Sequence, residues 1–303
     1  MLSDVIGEKI ISLTSPENVK TGEELKKYTS FRIGGPAKWL VEIDTVRQLI
    51  DVSLYLKKEK VPYYVLGNGT NTLFSDSGYE GVVIHLGKKI CDIRVEGNLI
   101  YAEAGAMLAG VSRRAQEAGL TGLEFAAGIP GTVGGGVVMN AGAYDGEMKL
   151  AVRSVKAVSP EGEFVSLDNE ELKFGYRSSI LRHTGYVVTD VVFELKEGDK
   201  ESILAKMEDF NARRREKQPI ELPSAGSTFK RPEGHYAGQL IMEAGLRGFQ
   251  IGGARVSDKH CGFIVNVDNA TGDDVRRLIK EVQTRVNEKF GVLLEPEIEI
   301  VQD

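Results

Sequence analysis

Between Leu123 and Glu147 the chain reads "LEFAAGIPGTVGGGVVMNAGAYDGE", with seven glycines and no charge between Glu124 and Asp145. A stretch so short of side chains cannot build much of a core, because burial energy scales with apolar area removed from water. Glycine permits φ > 0 and lets another surface approach the bare backbone. The stretch is therefore either a mobile loop or a wall of main-chain N–H groups that holds a ligand. In both cases the core must come from the remainder of the chain.

That remainder is large. At 303 residues the chain exceeds one simple core, and two or three domains are expected. A hydrophobic content of 42% and a charged content of 27% are ordinary for a soluble globular protein. The net charge of -6 argues against a phosphate-reading surface for nucleic acid, though a local basic pocket is compatible with it. No apolar run reaches the roughly 18 residues of a membrane span. The amino terminus, "MLSDVIGEKIISLTSPENVK", mixes charged with apolar residues and so lacks the uncharged centre of a signal peptide. Cys91 and Cys261 stand far apart without ligand-type spacing, which fits a reducing cytosol.

Strand-like and helix-like segments alternate irregularly, which predicts an α+β fold rather than a regular parallel α/β repeat. "AKWLVEID" and "PYYVLG" read as strands flanking the helical "TVRQLIDVSLYLKKEK". "GYEGVVIHLG" is a further strand, and "ICDIRVEGNLIYAEAG" a hairpin turning at "EGN". "LAGVSRRAQEAGL" is a helix closed by Gly119, where a left-handed cap is expected. "VRSVKAVSPEGEFVSL" repeats the hairpin pattern, and "GYVVTDVVFEL" adds a strand. Beyond "KEGDKES" come a long helix, "SILAKMEDFNARRREKQ", and another, "DDVRRLIKEVQTRVNEKFG", with Val275, Leu278, Ile279, Val282 and Val286 on one face. "VLLEPEIEIV" closes the chain as a strand, whose period predicts a polar outer face of Glu295, Glu297 and Glu299.

Several chemistries are excluded. There is no G-x-G-x-x-G and no G-x-x-x-x-G-K-[ST], which disfavours a Rossmann dinucleotide site and an ordinary P-loop. The four histidines are scattered without H-E-x-x-H or Cys/His pairing, so no metal site is expected. No G-x-S-x-G occurs, which removes the hydrolase nucleophile elbow.

Two glycine-rich segments remain. In "VLGNGTNTLFSD", Gly67, Asn68, Gly69, Thr70 and Asn71 follow a β-rich run and read either as a tight turn or as an anion-binding nest of N–H groups. Together with Gly128, Gly131 and Gly134–Gly136, they could grip the two phosphates of one diphosphate cofactor without a Walker lysine. Ile203, Met207, Phe210, Arg214 and Lys217 recur at spacings of four and three, which places them on one helix face. An apolar stripe that ends in cations points Arg214 and Lys217 inward, where an anionic ligand could sit. Taken alone, Ser227 in "PSAGSTFKRPEG" is a turn residue near Lys230 and Arg231, and Arg177 in "KFGYRSSILR" an ion-pair residue.

Seven segments taken together are more specific. "YTSFRIGGPA", "VLGNGTNTLFSD", "AAGIPGTVGGGVVMNAGAYDGE", "FGYRSSIL", "AGSTFKRP", "GGARVSDKHCGFIVNVDNAT" and "LEPEIEIV" fall in order from about residue 20 to the end. In this the chain resembles the UDP-N-acetylenolpyruvoylglucosamine reductase family, flavoenzymes that make UDP-N-acetylmuramate for peptidoglycan. The resemblance implies an α+β FAD-binding fold of the vanillyl-alcohol-oxidase (PCMH) type with two subdomains, here 1–82 and 83–198, plus a C-terminal α+β substrate-binding domain, 199–303. It implies FAD and NADPH as cofactors, UDP-N-acetylglucosamine enolpyruvate as the small-molecule substrate, and a cytoplasmic enzyme. No obligatory protein, nucleic-acid or membrane partner is implied. "VLGNGTNTLF" has no histidine to link a flavin, so FAD should be non-covalent. The span between Arg177 and the basic helix is short, which resembles the family branch that lacks an inserted tyrosine loop.

The resemblance also assigns roles. Ser227 falls on the general acid, Arg177 on the catalytic arginine and Glu297 on the catalytic glutamate. Gly67–Asn71, Gly128, Ile129, Pro130, Gly131, Thr132, Gly134, Gly135, Asn140 and Gly142 fall on the FAD contacts. Tyr176, Arg214, Lys217, Lys230 and Arg231 fall on substrate contacts. In the implied reaction an enolate develops on the substrate carboxylate, which a fixed guanidinium stabilises. Ser227 then delivers a proton to carbon, with Lys230 lowering its hydroxyl pKa. A sugar or alcohol oxidase of the same fold, and a nucleotide-binding protein without redox activity, are the competing readings.

Overall fold

The computed structural model of the chain describes residues 2–87 and 89–301. Contacts divide it into two compact units that interleave along the sequence. One comprises Met1–Thr21, Trp39–Asn68 and Gly81–Arg214, and the other Gly22–Lys38, Gly69–Glu80 and Arg215–Asp303.

The first unit is built on a five-stranded sheet in the order Phe164–Asp168, Val152–Val158, Val187–Glu194, Leu99–Glu103, Ile93–Glu96. All its pairings are antiparallel, and both hairpins expected from "EGN" and "PEG" form here. Val187–Glu194 lies at the centre, and its valine-rich sequence suits burial on both faces. A second sheet runs Val19–Glu24, Pro36–Glu42, Tyr79–His85, Tyr63–Leu66, with the last pair parallel. A parallel pair needs a crossover, and residues 67–78 make it, joining Tyr63–Leu66 to Tyr79–His85. The Val46–Lys58 helix lies between Pro36–Glu42 and Tyr63–Leu66, capped by Thr45, whose side chain accepts the Gln48 N–H. Its Leu49, Val52 and Leu56 are fully buried. Each contributes about 1.5–3 kcal/mol of transfer free energy. The Leu108–Ala118 helix stops at Gly119, whose φ of 74° makes the left-handed cap.

The second unit has an antiparallel sheet in the order Ser224–Ser227, Phe263–Asn266, Ala254–Val256, Gln250–Ile251. The Gly272–Phe290 helix belongs to the same unit and buries Val275, Leu278, Ile279, Val282 and Val286, the stripe its sequence predicts. Its start is fixed twice. Thr271 and Asp274 form a capping box, and the Asp76 carboxylate accepts the Gly272 and Asp273 N–H groups.

The chain end departs from expectation. Only Glu299–Val301 forms a strand, parallel to Thr72–Phe74. Pro296 lacks an N–H and interrupts the ladder, so Glu295–Glu297 pairs with Thr228–Lys230 through a single bridge, Phe229 to Pro296. The polar outer face is corrected accordingly: Glu297 is 7% exposed and lies beside the buried Ile298. Among the described residues no helix is long and apolar enough to cross a membrane.

Candidate active site

The strand Tyr63–Leu66 delivers the chain into the first glycine loop. Among the described residues, no backbone N–H of Gly67, Asn68, Gly69, Thr70 or Asn71 donates to a protein acceptor. Five successive N–H groups without protein acceptors are what an anion-binding nest requires; Gly69 is buried, Gly67, Thr70 and Asn71 are half-buried and Asn68 is exposed. Gly69 stands at φ 58°, and a Cβ there would overlap the Tyr28 carbonyl oxygen, so only glycine fits.

Within the first unit this loop touches the second glycine segment. A Cβ on Gly67 would overlap Thr132 Oγ1 and lie 3.2 Å from Thr132 Cγ2. Asn68 Nδ2 donates to the Pro130 carbonyl at 2.7 Å.

The stretch Leu123–Glu147 is not a mobile loop. It folds into the 3-10 turn Glu124–Ala126, the short helix Val133–Val138 and the paired Gly142–Ala143 and Gly146–Glu147. None of its seven glycines has a positive φ; that conformation falls instead on Asn140, Tyr144 and Asp145. The glycines admit close neighbours. A Cβ on Gly128 would lie 2.7 Å from Asn211 Oδ1, and one on Gly134 3.0 Å from Ala104 Cβ. The wall of donors is also smaller than the sequence suggests. Val133, Gly134 and Gly136 donate their N–H groups to the carbonyls of Ala106, Ala104 and Thr132. Gly128, Gly131 and Thr132 keep N–H groups without an acceptor among the described residues. Within the first unit these, with the N–H groups of Gly67 and Asn68, are main-chain donors of the kind a dinucleotide diphosphate needs.

Glu124 anchors this stretch, accepting the Thr121 hydroxyl and the Gly122 N–H while 4% exposed. Burial pushes its pKa up. Thr121, the N–H groups of Glu124 and Gly122, and Lys206 outweigh that and hold it below 4.5. A depressed carboxyl pKa contributes stability above the ordinary value and loses it as pH falls through the depressed one. Glu124→Gln is therefore expected to cost about 1–3 kcal/mol near neutral pH, the worth of hydrogen bonds to a charged group. That difference should be present at neutral pH and close in acid, once pH has fallen through the depressed pKa of Glu124, in urea melts at the two pH values. An equal difference at both pH values would show that the charge contributes nothing.

Arg177 stands at φ 52° in the turn where Gly175 and Ser178 pair, and its Nη2 donates to the Gly142 carbonyl at 3.0 Å. Its guanidinium carbon lies 5.4 Å from the ring centre of Tyr176, which is 52% exposed. Asn140, expected at the cofactor, has its side chain held by protein groups. Its side chain donates to Glu147 and Gly175 and accepts from Lys149, so the amide is engaged inside the protein.

On the Lys200–Lys217 helix, Ile203 and Met207 are buried, and Phe210 stacks on Tyr144 at 4.4 Å. Arg214 follows inward, as its spacing predicts. Desolvation lowers its pKa, and no carboxylate pairs with it among the described residues. Lys217 departs from the stripe and is exposed, because it is the last residue of the helix.

In the second unit Ser227 ends a strand rather than sitting in a turn. It pairs with Phe263 across a bulge that separates it from the regular register at Ser224. Bulges re-aim side chains, and among the described residues the Ser227 hydroxyl has no hydrogen-bond partner. Thr228 escapes sequence reasoning. It is 1% exposed; its hydroxyl accepts the Ile264 N–H at 3.0 Å, and its carbonyl accepts the Glu297 N–H at 2.8 Å. It thus sets Ser227 and Glu297 on adjoining segments. The only signal was its place directly after Ser227. Asn71 holds the same segment, donating from Nδ2 to the Glu297 carbonyl at 3.2 Å and accepting the Glu299 N–H at 2.7 Å. Lys230 is paired with Glu295 at 3.1 Å, which offsets the help expected for the Ser227 hydroxyl. Arg231 lies 4.1 Å over the Tyr236 ring.

Residues 37–168 match an FAD binding domain, and residues 218–301 match the UDP-N-acetylenolpyruvoylglucosamine reductase C-terminal domain. The chain is 48% identical to the UDP-N-acetylenolpyruvoylglucosamine reductase of Caldanaerobacter subterraneus subsp. tengcongensis, covering 99% of each chain. It is 46% identical to that of Clostridioides difficile, covering 96% of each. The crystal structure of the Thermus caldophilus reductase matches with a TM-score of 0.81 at 40% identity, over 94% of this chain and 99% of that one. A Phl p 4 variant described as a glucose oxidase matches at 14% identity and a TM-score of 0.51, over 64% of this chain and 44% of that one, which speaks to fold alone. The architecture is an α+β FAD-binding fold of the vanillyl-alcohol-oxidase (PCMH) type with a C-terminal α+β domain.

Proposed function

The chain belongs to the UDP-N-acetylenolpyruvoylglucosamine reductase family, and from that premise we propose that it reduces UDP-N-acetylglucosamine enolpyruvate to UDP-N-acetylmuramate in peptidoglycan synthesis. It uses NADPH as reductant and non-covalent FAD, acts in the cytoplasm, and divides its work among residues 1–82, 83–198 and 199–303. The observation that carries the reading is the run of five main-chain donors, Gly67–Asn71, without acceptors among the described residues. Gly128, Gly131 and Thr132 add to these on the cofactor side, and the backbone of Gly142 supports Arg177. Bound there, FAD would supply the two-electron transfer from NADPH to the enol ether.

The protein's own groups do the remainder. Arg177, whose Nη2 donates to the Gly142 carbonyl, meets the substrate carboxylate where enolate charge develops. Ser227 donates the proton to carbon. The buried Glu297, on the segment that Thr228 holds beside Ser227, replenishes that proton. Arg214 is a desolvated guanidinium without a carboxylate, which suits an anionic group of the substrate. Lys217, Lys230, Arg231 and Tyr176 complete the substrate contacts.

A purified preparation is expected to be yellow, to bleach with NADPH and to regain colour on addition of the enolpyruvyl substrate. A colourless protein that FAD does not reconstitute would overturn the reading. Oxygen consumption with a free sugar and no NADPH would favour an oxidase instead. Arg177→Lys keeps the charge but loses the planar fork. Its kcat is expected to fall by about 10²–10³-fold, as for loss of an oxyanion donor, with the KM for NADPH unchanged.

A further inference from the structure

Asn140 is 1% exposed and holds a left-handed backbone at φ 47°. Its side chain donates to the Gly175 carbonyl at 2.9 Å and to Glu147 Oε2 at 3.1 Å, and accepts the Lys149 N–H at 3.0 Å. Both amide hydrogens are engaged, so the group has no donor left for a ligand. Its neighbours grip the same turn. Ser179 Oγ donates to the Val138 carbonyl at 2.7 Å, and Arg177 Nη2 to the Gly142 carbonyl at 3.0 Å. From the far side Arg182 Nη1 donates to the Arg177 carbonyl at 2.9 Å.

The turn needs this support. Lys173 and Arg177 stand at φ 45° and 52°, a conformation that side-chain-bearing residues rarely adopt. Such strain persists only where the surroundings over-determine it. Gly175 opens the two-residue excursion that ends at Ser178, and its carbonyl accepts both the Ser178 N–H at 3.2 Å and the Asn140 amide.

We infer that Asn140 is a positioning residue for Arg177: by holding the Gly175 carbonyl it fixes the strained turn from which the guanidinium reaches Gly142 and the substrate. Residue type follows from the bonds. Aspartate could accept from Lys149 but could not donate to Gly175, and it would face the Glu147 carboxylate. Glycine would keep the left-handed backbone and lose all three bonds. The inference rests on the assignment of Arg177 to the substrate carboxylate.

A double-mutant cycle tests it. Asn140→Gly is expected to lower kcat on the order of 10²-fold, the scale of a misplaced catalytic group, with the KM for NADPH unchanged. In an Arg177→Gln background the same substitution should have no further effect. Equal losses in both backgrounds, or no loss in either, would overturn the inference. If Asn140→Gly does not fold, Asn140→Asp with Glu147→Gln keeps the size and the Lys149 bond while leaving Gly175 unserved, and the cycle is read with that pair. Should Arg177→Gln leave kcat unchanged, the assignment of Arg177 fails on its own account. A crystal structure of the Asn140 variant then decides positioning alone: loss of the Arg177–Gly142 bond supports it, and retention overturns it.

Discussion

Replacing Ser227 with alanine is expected to slow reduction of the enolpyruvyl substrate by about 10²–10⁴-fold, the range for loss of a positioned general acid. Bleaching of the bound flavin by NADPH should proceed at nearly the wild-type rate. The two half-reactions separate because the serine is needed only where carbon takes a proton. Structure makes the variant a clean one. The Ser227 hydroxyl has no protein partner among the described residues, and its strand pairs with Phe263 through the backbone. Stability should therefore change by no more than about 0.5 kcal/mol, as for an unengaged surface side chain. Stopped-flow traces of each half-reaction check this. Equal slowing of both would remove Ser227 from the proton-transfer role and leave it a structural residue.

The second large effect is expected at Gly67. A Cβ there overlaps the Thr132 hydroxyl, and Thr132 is 3% exposed and caps the Val133–Val138 helix, so it has no room to retreat. Gly67→Ala should drive the two glycine segments apart at the cost of about 1–3 kcal/mol typical of overpacking. If that strain is relieved when the cofactor leaves, FAD affinity falls by roughly 10- to 200-fold. The measurement is flavin absorbance per protein after gel filtration. Gly97→Ala is the control, because Gly97 also lies in the first unit and a Cβ there meets nothing within 4 Å. Its left-handed strain should lower the melting temperature without loss of colour. A Gly67→Ala protein as yellow as wild type would show that the loop contact does not serve the cofactor. Gly134→Val is a poorer probe than its sequence suggests, since Gly134 packs on Ala104 and the substitution would disturb folding and cofactor together.

Much was legible before any coordinates. The Gly272–Phe290 stripe, the Gly119 cap and both hairpins are local, since each is written in residues within a few positions of one another. The inward course of Arg214 was legible for the same reason: it continues a helical period that Ile203 and Met207 anchor in the core. The burial of Glu297 was not legible. Strand alternation put it on an outer face, but its burial depends on Thr228 and Asn71, whose bonds to it bridge distant parts of the chain. The side-chain bonds of Asn140 were not legible either: its motif suggested a cofactor contact, and the carbonyl its amide holds, that of Gly175, lies 35 positions away.

The glycines divide along the same line. The sequence by itself determined that Leu123–Glu147 could not be core and that backbone, rather than side chains, would meet whatever approached. It also determined the family, through seven ordered segments. Only the tertiary structure decided that these glycines serve close packing rather than positive φ, and which N–H groups remain for a ligand. It likewise decided that Asn140 faces the Arg177 turn. The physical reason is that periodicity reports the side of an element that must be covered. Which carbonyl, hydroxyl or carboxylate covers it is settled only when residues far apart in the chain compete for the same hydrogen bonds and the same volume.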